Sequence, residues 1–89
     1  MIYQIYGSPT CKWSKLALSK SRAKGLNEQT LFINVDTVCG FWELQQMMQS
    51  YVADHDGYET EDIPHIFVTN ESGLSYVGGY DEFVDLLKK

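Results

Sequence analysis

Apolar residues recur along this chain with two different periods, which divide it into seven predicted elements. Four short segments are rich in β-branched and aromatic residues and predict strands: residues 2–6, 31–35, 63–69 and 74–77. Three longer segments have the composition or spacing of helices: residues 11–24, 41–53 and 80–89. The predicted order of elements is therefore βαβαββα.

Turn and capping residues separate these segments. Residues 7–10 (GSPT) predict a turn, in which Thr10 is a candidate N-cap of the first helix. Gly25 stands where a C′ glycine would end that helix. Residues 70–73 (NESG) predict a hairpin turn, and Asp36 and Thr37 are turn or cap residues before the second helix. In that helix, apolar residues near helical spacing predict a buried face: Phe41, Leu44, Met48 and Tyr51.

The order of the elements predicts the architecture. A βαβ unit places its two strands parallel, joined by a right-handed crossover. The hairpin adds antiparallel strands, and helices should cover both faces of the resulting four-stranded mixed sheet. The length of 89 residues suits one such α/β domain, so we expect a single domain over residues 1–89.

Composition and charge exclude several classes of protein. The chain is 44% hydrophobic and 21% charged, which is typical of a globular protein. A net charge of −5 argues against nucleic-acid binding, which requires clustered Lys and Arg residues. The apolar runs are too short for a membrane span, and the first residues lack the pattern of a signal peptide. We therefore expect a cytoplasmic protein without a membrane partner.

Cys11 is the residue with the clearest candidate chemistry. It follows a predicted strand and turn and opens a predicted helix, whose first turn offers unpaired N–H groups and a partial positive charge. Lys12 and Lys15 add positive charge nearby. These features predict a Cys11 pKa below that of an ordinary thiol and hence a thiolate, the nucleophile of disulfide exchange. A buried, inert cysteine is the alternative, but the start of a helix after a turn is usually partly exposed.

Three short motifs resemble those of glutaredoxins. Residues 6–14 (YGSPTCKWS) resemble the strand, turn and helix start that carry Cys-Pro-Tyr-Cys in that family, or Cys-Gly-Phe-Ser in its monothiol branch. Residues 62–67 (DIPHIF) resemble the family's Thr-Val-Pro-x-Val-Phe, and residues 76–81 (YVGGYD) its Ile-Gly-Gly-x-Asp. The motifs occur in the family's order over nearly the whole chain, whose compact length is most similar to glutaredoxins encoded by phages.

The resemblance implies a thioredoxin-like fold and a glutathione-linked thiol–disulfide oxidoreductase. Cys11 would attack a protein disulfide or a glutathione mixed disulfide. Pro64 would follow a cis peptide bond, and Ile63 would offer its backbone N–H and C=O to the cysteine moiety of the substrate. Without the resemblance, Pro64 would be read as an edge-strand proline in trans.

The resemblance also implies a binding corner for the γ-glutamyl group of glutathione. Gly79, Tyr80 and Asp81 would begin the last helix, whose N–H groups would hold the carboxylate while Asp81 pairs with the ammonium. The alternative is an ordinary glycine break followed by a capping Asp. Trp13 either flanks the thiol groove or packs in the core with Leu16 and Ala17.

The chain departs from the family pattern at two positions. Ser8 stands where many glutaredoxins have a lysine that meets a glutathione carboxylate, and Lys12 is a candidate substitute. Ser14 occupies the position of the resolving cysteine. Either the protein is a natural monothiol enzyme or Ser14 replaces a resolving cysteine; the pair Lys12–Trp13, unlike Gly-Phe, favours replacement. The acidic stretch over residues 54–62 is read as a solvated loop, or as one that repels glutathione or selects a basic partner.

These readings define the expected partners. Glutathione is the expected co-substrate, with no metal site and no tightly bound cofactor; the irregular spacing of Cys11, Cys39, His55 and His65 does not suit zinc. Disulfide-containing proteins, ribonucleotide reductase among them, are expected substrates of a monomeric enzyme. Cys39 is read as an incidental thiol, with resolution of Cys11 as the alternative. Two other functions stay open: a [2Fe–2S] carrier using two copies of Cys11 and two glutathiones, and a non-catalytic binding module.

Overall fold

The computed structural model describes residues 1–51 and 63–88, which contain one mixed four-stranded sheet and three α-helices. The elements in chain order are β1 (Ile2–Gly7), α1 (Lys12–Ala23), a short 3-10 helix (Asn27–Gln29), β2 (Thr30–Asn34), α2 (Val38–Tyr51), β3 (His65–Asn70), β4 (Gly73–Gly78) and α3 (Tyr80–Leu87). The predicted order βαβαββα is confirmed for this part of the chain, as is the α/β class. The 3-10 helix was not predicted.

The sheet has the strand order β2-β1-β3-β4. β1 pairs with β2 in parallel, from Tyr3↔Thr30 to Gly7↔Asn34. β1 pairs with β3 antiparallel, with Tyr6 opposite His65, and β3 pairs with β4 antiparallel. As a consequence, the ends of β1, β2 and β4 and the beginning of β3 all lie at one end of the sheet, which is called the C-terminal end below.

Alternation along the strands sends side chains to two separate cores, because successive residues of a strand face opposite sides of the sheet. One core joins strand residues to α1 and α3: Tyr3, Ile5, Ala17, Ile66, Val68 and Phe83. The other joins strand residues to α2: Tyr6, Leu44, Met48 and Phe67. The expectation that helices cover both faces of the sheet is therefore confirmed.

The ends of α1 correct one prediction and confirm another. The N-cap is Cys11, in an extended conformation, and not Thr10. Thr10 instead belongs to the preceding turn, where its N–H donates to Ser8 Oγ at 3.2 Å. At the other end, Gly25 has a φ of +72°, and its N–H donates to the Arg22 carbonyl as a C′ glycine does.

The second helix begins earlier than predicted and buries less of its predicted face. Thr37 caps it, accepting the Gly40 N–H on its hydroxyl at 3.0 Å. Gly40 lets the helix approach β2 closely, since a Cβ there would overlap the carbonyl oxygen of Asn34. Leu44 and Met48 are buried as predicted, but Phe41 is 40% exposed. Residues 52 and 53 of the predicted helix lie outside the described residues.

Within residues 1–51 and 63–88, every helix is too short or too polar to cross a membrane.

Candidate active site

The sheet topology brings the three sequence motifs together at its C-terminal end. The turn after β1 carries Cys11, the segment before β3 carries Pro64, and the segment after β4 carries Gly79. Asp36 follows β2, on the other side of β1. The strand order therefore arranges these residues in the sequence Asp36, Cys11, Pro64, Gly79 across the end of the sheet.

Cys11 is held at the junction of turn and helix. Its N–H donates to the Ser8 carbonyl at 3.1 Å, and its own carbonyl accepts the Lys15 N–H at 3.0 Å. The side chain is partly exposed and carries a free thiol. A thiol in this position can reach a disulfide in solution while its backbone stays fixed.

The pKa of Cys11 is lowered, as predicted, although the groups responsible are different. Burial is the largest single influence and raises the pKa, but it is outweighed by hydrogen bonds to the sulfur from the N–H and hydroxyl of Ser14 and the N–H of Trp13. The Asp36 carboxylate raises the pKa slightly. Lys12 was expected to lower it, but its Nζ lies 5.4 Å from the centre of the Trp13 ring and contributes nothing to the shift.

Ser14 has a role in this site that the sequence did not reveal. Its side chain is fully buried, and its Oγ accepts the Ser8 N–H at 3.1 Å. The Ser14 hydroxyl is thus free to donate its hydrogen to the Cys11 sulfur. Gly7 makes room for this arrangement, because a Cβ at Gly7 would overlap Ser14 Oγ and lie 2.7 Å from Ser14 Cβ.

Ser8 joins the thiol turn to a carboxylate. Its Oγ donates to Asp36 Oδ2 at 2.6 Å, so the Thr10 hydroxyl, 2.9 Å away, must donate to Ser8. Where many glutaredoxins have a lysine, this site therefore has a hydroxyl tied to an acid. The sequence analysis did not predict Asp36 as a site residue. Its position directly after a strand parallel to β1 could have indicated that it lies near the turn that carries Cys11.

A groove with Trp13, two residues beyond Cys11, in its wall contains most of the predicted binding residues. It has a volume of about 240 Å³, and it is lined by Trp13, Ile63, Pro64, Gly79, Tyr80, Asp81 and Glu82. The Ile63–Pro64 bond is cis, as the resemblance implied. Among the predicted glutathione-site residues, only Lys12 does not line the groove.

Trp13 forms one wall of this groove. Its ring centre lies 5.4 Å from that of Tyr80, with the planes inclined by 45°, and the side chain is 49% exposed. The alternative of core packing with Leu16 and Ala17 is therefore wrong. Two aromatic rings on neighbouring helices offer an apolar surface next to the thiol.

The first turn of α3 supplies the charge of the groove. Gly79 is the N-cap, so Asp81 and Glu82 occupy the first turn, where the helix dipole favours carboxylates. Glu82 was missed by sequence reasoning, although it adjoins Asp81 in the same acidic turn. Its side chain folds against Gly78, where a Cβ would lie 2.8 Å from Glu82 Cγ. The two carboxylates make this corner suited to an ammonium group.

The remaining candidates lie outside this groove. Cys39 is exposed at the start of α2 and carries a free thiol. His65 is buried, and its Nδ1 is 2.9 Å from the Tyr76 hydroxyl. The acidic stretch over residues 54–62, with His55, lies outside the described residues.

Comparison with known proteins gives no further guidance. No family model, curated protein or solved structure matches the chain.

Proposed function

We propose that this protein is a glutathione-linked thiol–disulfide oxidoreductase of the glutaredoxin type, with a thioredoxin-like fold. The observation that carries the proposal is the position of Cys11, whose thiol has a lowered pKa and which precedes by two residues Trp13, a wall of the groove that Pro64 and Gly79 also line. A stabilised thiolate next to a groove of this composition is suited to disulfide exchange.

The fold supports the same proposal. The strand order β2-β1-β3-β4, with β1 and β2 parallel and β3 antiparallel to β1, is the arrangement expected of a thioredoxin-like domain. In this arrangement a nucleophile after β1 and a cis-proline before β3 are neighbours. The chemistry therefore depends on residues that are distant in the chain.

The first step is nucleophilic attack by the Cys11 thiolate. Its sulfur attacks the glutathione sulfur of a mixed disulfide, forming a bond between Cys11 and glutathione, and the substrate thiolate leaves with the electron pair of the broken S–S bond. The hydrogen bonds from Ser14 and Trp13 stabilise the thiolate before attack.

The second step needs a thiol from outside the protein, because Ser14 has no sulfur with which to resolve the intermediate. A glutathione thiolate attacks the glutathione sulfur bound to Cys11, oxidised glutathione leaves, and the Cys11 thiolate is regenerated. The net reaction converts one mixed disulfide and one glutathione thiol into one substrate thiol and one glutathione disulfide. A reducing cytoplasm supplies the glutathione, and proteins with accessible disulfides, ribonucleotide reductase among them, are the proposed substrates.

The groove accounts for recognition of glutathione. The Asp81 carboxylate pairs with the γ-glutamyl ammonium, the N–H groups at the start of α3 donate to its carboxylate, and Ile63 offers its backbone to the cysteine moiety. The Trp13 and Tyr80 rings cover the apolar part of the tripeptide.

Turnover of a glutathione mixed disulfide tests this function. The protein is incubated with glutathione and the mixed disulfide of glutathione with 2-mercaptoethanol, and formation of oxidised glutathione is followed. Turnover is expected in the wild type and in Cys39→Ser, and none above background in Cys11→Ser. Equal rates in Cys11→Ser and wild type would refute the proposal. Loss of activity in Cys39→Ser would show that the proposal had assigned the chemistry to the wrong cysteine. Ser14→Cys, tested on a protein disulfide, shows whether a second thiol at this position restores dithiol chemistry.

A further inference from the structure

A second surface lies on the other side of Cys11 from the groove. It is a shallow depression of about 310 Å³ at the start of α2, here called the α2 patch, and it is lined by Val35, Asp36, Thr37, Val38, Phe41, Trp42 and Gln45. Three of its side chains are apolar and exposed: Val38 by 87%, Phe41 by 40% and Trp42 by 62%. Exposed tryptophan and phenylalanine side chains in one cluster are typical of an interaction site.

The helix geometry explains why this patch faces solvent. Val38, Phe41 and Trp42 are separated by three and four residues and so lie on one face of α2. Leu44 and Met48, further along the helix, are buried against the sheet, and Phe41 borders that buried face. The sequence therefore places large apolar residues on a face that the fold leaves uncovered within the described part of the chain.

The α2 patch is continuous with the thiol site. Asp36 lines the patch and also accepts the Ser8 hydroxyl at 2.6 Å, and the Ser8 carbonyl accepts the Cys11 N–H at 3.1 Å. The strand order places Asp36 beside Cys11 on the side opposite Pro64. A molecule joined to Cys11 by a disulfide is thus held next to both the groove and the patch.

The chemistry of the patch selects one kind of occupant. Among residues 1–51 and 63–88, its lining carries a single charged side chain, the Asp36 carboxylate, and no cation that could hold the carboxylates of glutathione. Tryptophan and phenylalanine fit large apolar side chains, and Asp36 fits a basic one. A second copy of this chain seated patch to patch would bring two Asp36 carboxylates together, which opposes that contact.

We infer, on the basis of the proposed function, that the α2 patch docks an extended segment of a protein disulfide substrate, with a large apolar side chain on Phe41 and Trp42 and a basic side chain near Asp36. The Cys11 thiolate attacks the substrate cysteine's sulfur, and the other sulfur leaves with the electron pair of the broken bond. The patch thereby gives the enzyme a preference among polypeptides that the groove for glutathione does not supply.

Single-turnover exchange with two probes tests the inference. The first probe is a short peptide whose central cysteine is joined to thionitrobenzoate by a disulfide bond. A lysine is next to the cysteine, and one phenylalanine lies on each side of this pair. The second is 2-mercaptoethanol joined to thionitrobenzoate. Attack by Cys11 releases coloured thionitrobenzoate from both, so no added reductant is required.

Phe41→Ser and Trp42→Gln are expected to slow exchange with the peptide about fivefold and to leave the small probe unchanged, since partial loss of apolar burial costs about 1 kcal/mol, which is about a fivefold change. Leu31→Ser is the matched control, because Leu31 is 54% exposed and lies near the opposite end of the sheet. It should affect neither probe. A peptide with serine in place of phenylalanine should lose the dependence on Phe41 and Trp42.

The outcomes separate this inference from the proposed function. If neither probe reacts faster with wild type than with Cys11→Ser, the proposed function fails. If both probes react with Cys11, but Phe41→Ser and Trp42→Gln slow the two reactions equally or slow neither, only the docking inference is overturned. Fluorescence measures docking independently of the chemistry in Trp13→Phe, where Trp42 is the only tryptophan. Binding of a peptide with serine in place of its cysteine should change the Trp42 fluorescence. No change would overturn the inference. A wild-type dimer that Trp42→Gln converts to monomer would overturn it in favour of self-association.

Discussion

The fully buried Ser14 lowers the pKa of the Cys11 thiol through its backbone N–H and its hydroxyl. The same hydroxyl oxygen accepts the Ser8 N–H at 3.1 Å, so the residue at the position where the resemblance implies a resolving cysteine also fixes the thiol turn. Whether Ser14 is natural or replaces a cysteine, it stabilises the thiolate in this protein.

Ser14→Ala should raise the pKa of Cys11. The substitution removes one hydrogen bond to the thiolate and keeps those from the backbone N–H groups of Ser14 and Trp13. A hydrogen bond to a charged group contributes about 1.5 kcal/mol or more, so its loss favours the neutral thiol and the pKa should rise. The thiolate absorbance in the ultraviolet, followed against pH, measures the pKa.

The Ser14→Ala variant should also unfold more easily, by about 1–3 kcal/mol, because the buried Ser8 N–H loses its acceptor. An unchanged Cys11 pKa would mean that the hydroxyl does not contact the thiolate.

Gly7→Ala should disturb the same contact from the opposite side. A Cβ at Gly7 would overlap Ser14 Oγ, and a fully buried Ser14 can move only with the start of α1. A loss of about 1–3 kcal/mol in the free energy of unfolding is expected from the overpacking, together with a higher Cys11 pKa. Gly25→Ala is the control: it is strained by a φ of +72° but has no neighbouring atoms, so it should cost stability without changing the Cys11 pKa. Equal pKa changes in both variants would point to general unfolding.

Asp36→Asn should lower the pKa of Cys11 further. The Asp36 carboxylate disfavours the thiolate, and asparagine removes the charge while its carbonyl oxygen can still accept the Ser8 hydroxyl. The midpoint of the rate of iodoacetamide alkylation against pH should therefore move to lower pH. Glu43→Gln is the matched control, because Glu43 also lies on the α2 side but bonds to the Tyr6 hydroxyl and does not shift the Cys11 pKa. A midpoint that moves upward would mean that the hydrogen bond through Ser8 matters more than the charge.

Asp81→Asn should weaken glutathione binding selectively. In the proposed function the Asp81 charge pairs with the γ-glutamyl ammonium, and its loss should cost about 1 kcal/mol, or about fivefold in affinity. Exchange with a small disulfide that has no γ-glutamyl group should continue at the wild-type rate. Because Gly79 and not Asp81 is the N-cap, the stability cost should be limited to the dipole interaction, about 0.3–1 kcal/mol.

Glu82→Gln separates the two roles of this acidic turn. It removes a carboxylate from the same first turn of α3, so its stability loss should be similar. Glutathione affinity should fall less than in Asp81→Asn, since the Glu82 side chain folds against Gly78. Equal losses of affinity in both variants would show that only the total charge of the corner matters.

Local signals in the sequence were sufficient to predict the order of the helices and strands and the lowered pKa of Cys11. Strand and helix composition gave the order βαβαββα, and Gly25 ended α1 as predicted because its positive φ is a local requirement. The lowered Cys11 pKa also follows from a local feature, the free N–H groups of the first helical turn. Such properties depend on neighbours in the chain, which the sequence shows directly.

The tertiary structure alone decided which groups surround that thiol. Spacing placed Phe41 on a buried face with Leu44 and Met48, but in the folded chain Phe41 is 40% exposed and lines the α2 patch. Lys12 was the expected partner of the thiolate, yet its ammonium lies over Trp13, while Ser14 and the Trp13 N–H lower the pKa against burial and the distant-in-chain Asp36 carboxylate. Side-chain contacts of this kind depend on strand order and on the packing of α1 and α2 against the sheet, and these bring together residues that no local pattern relates.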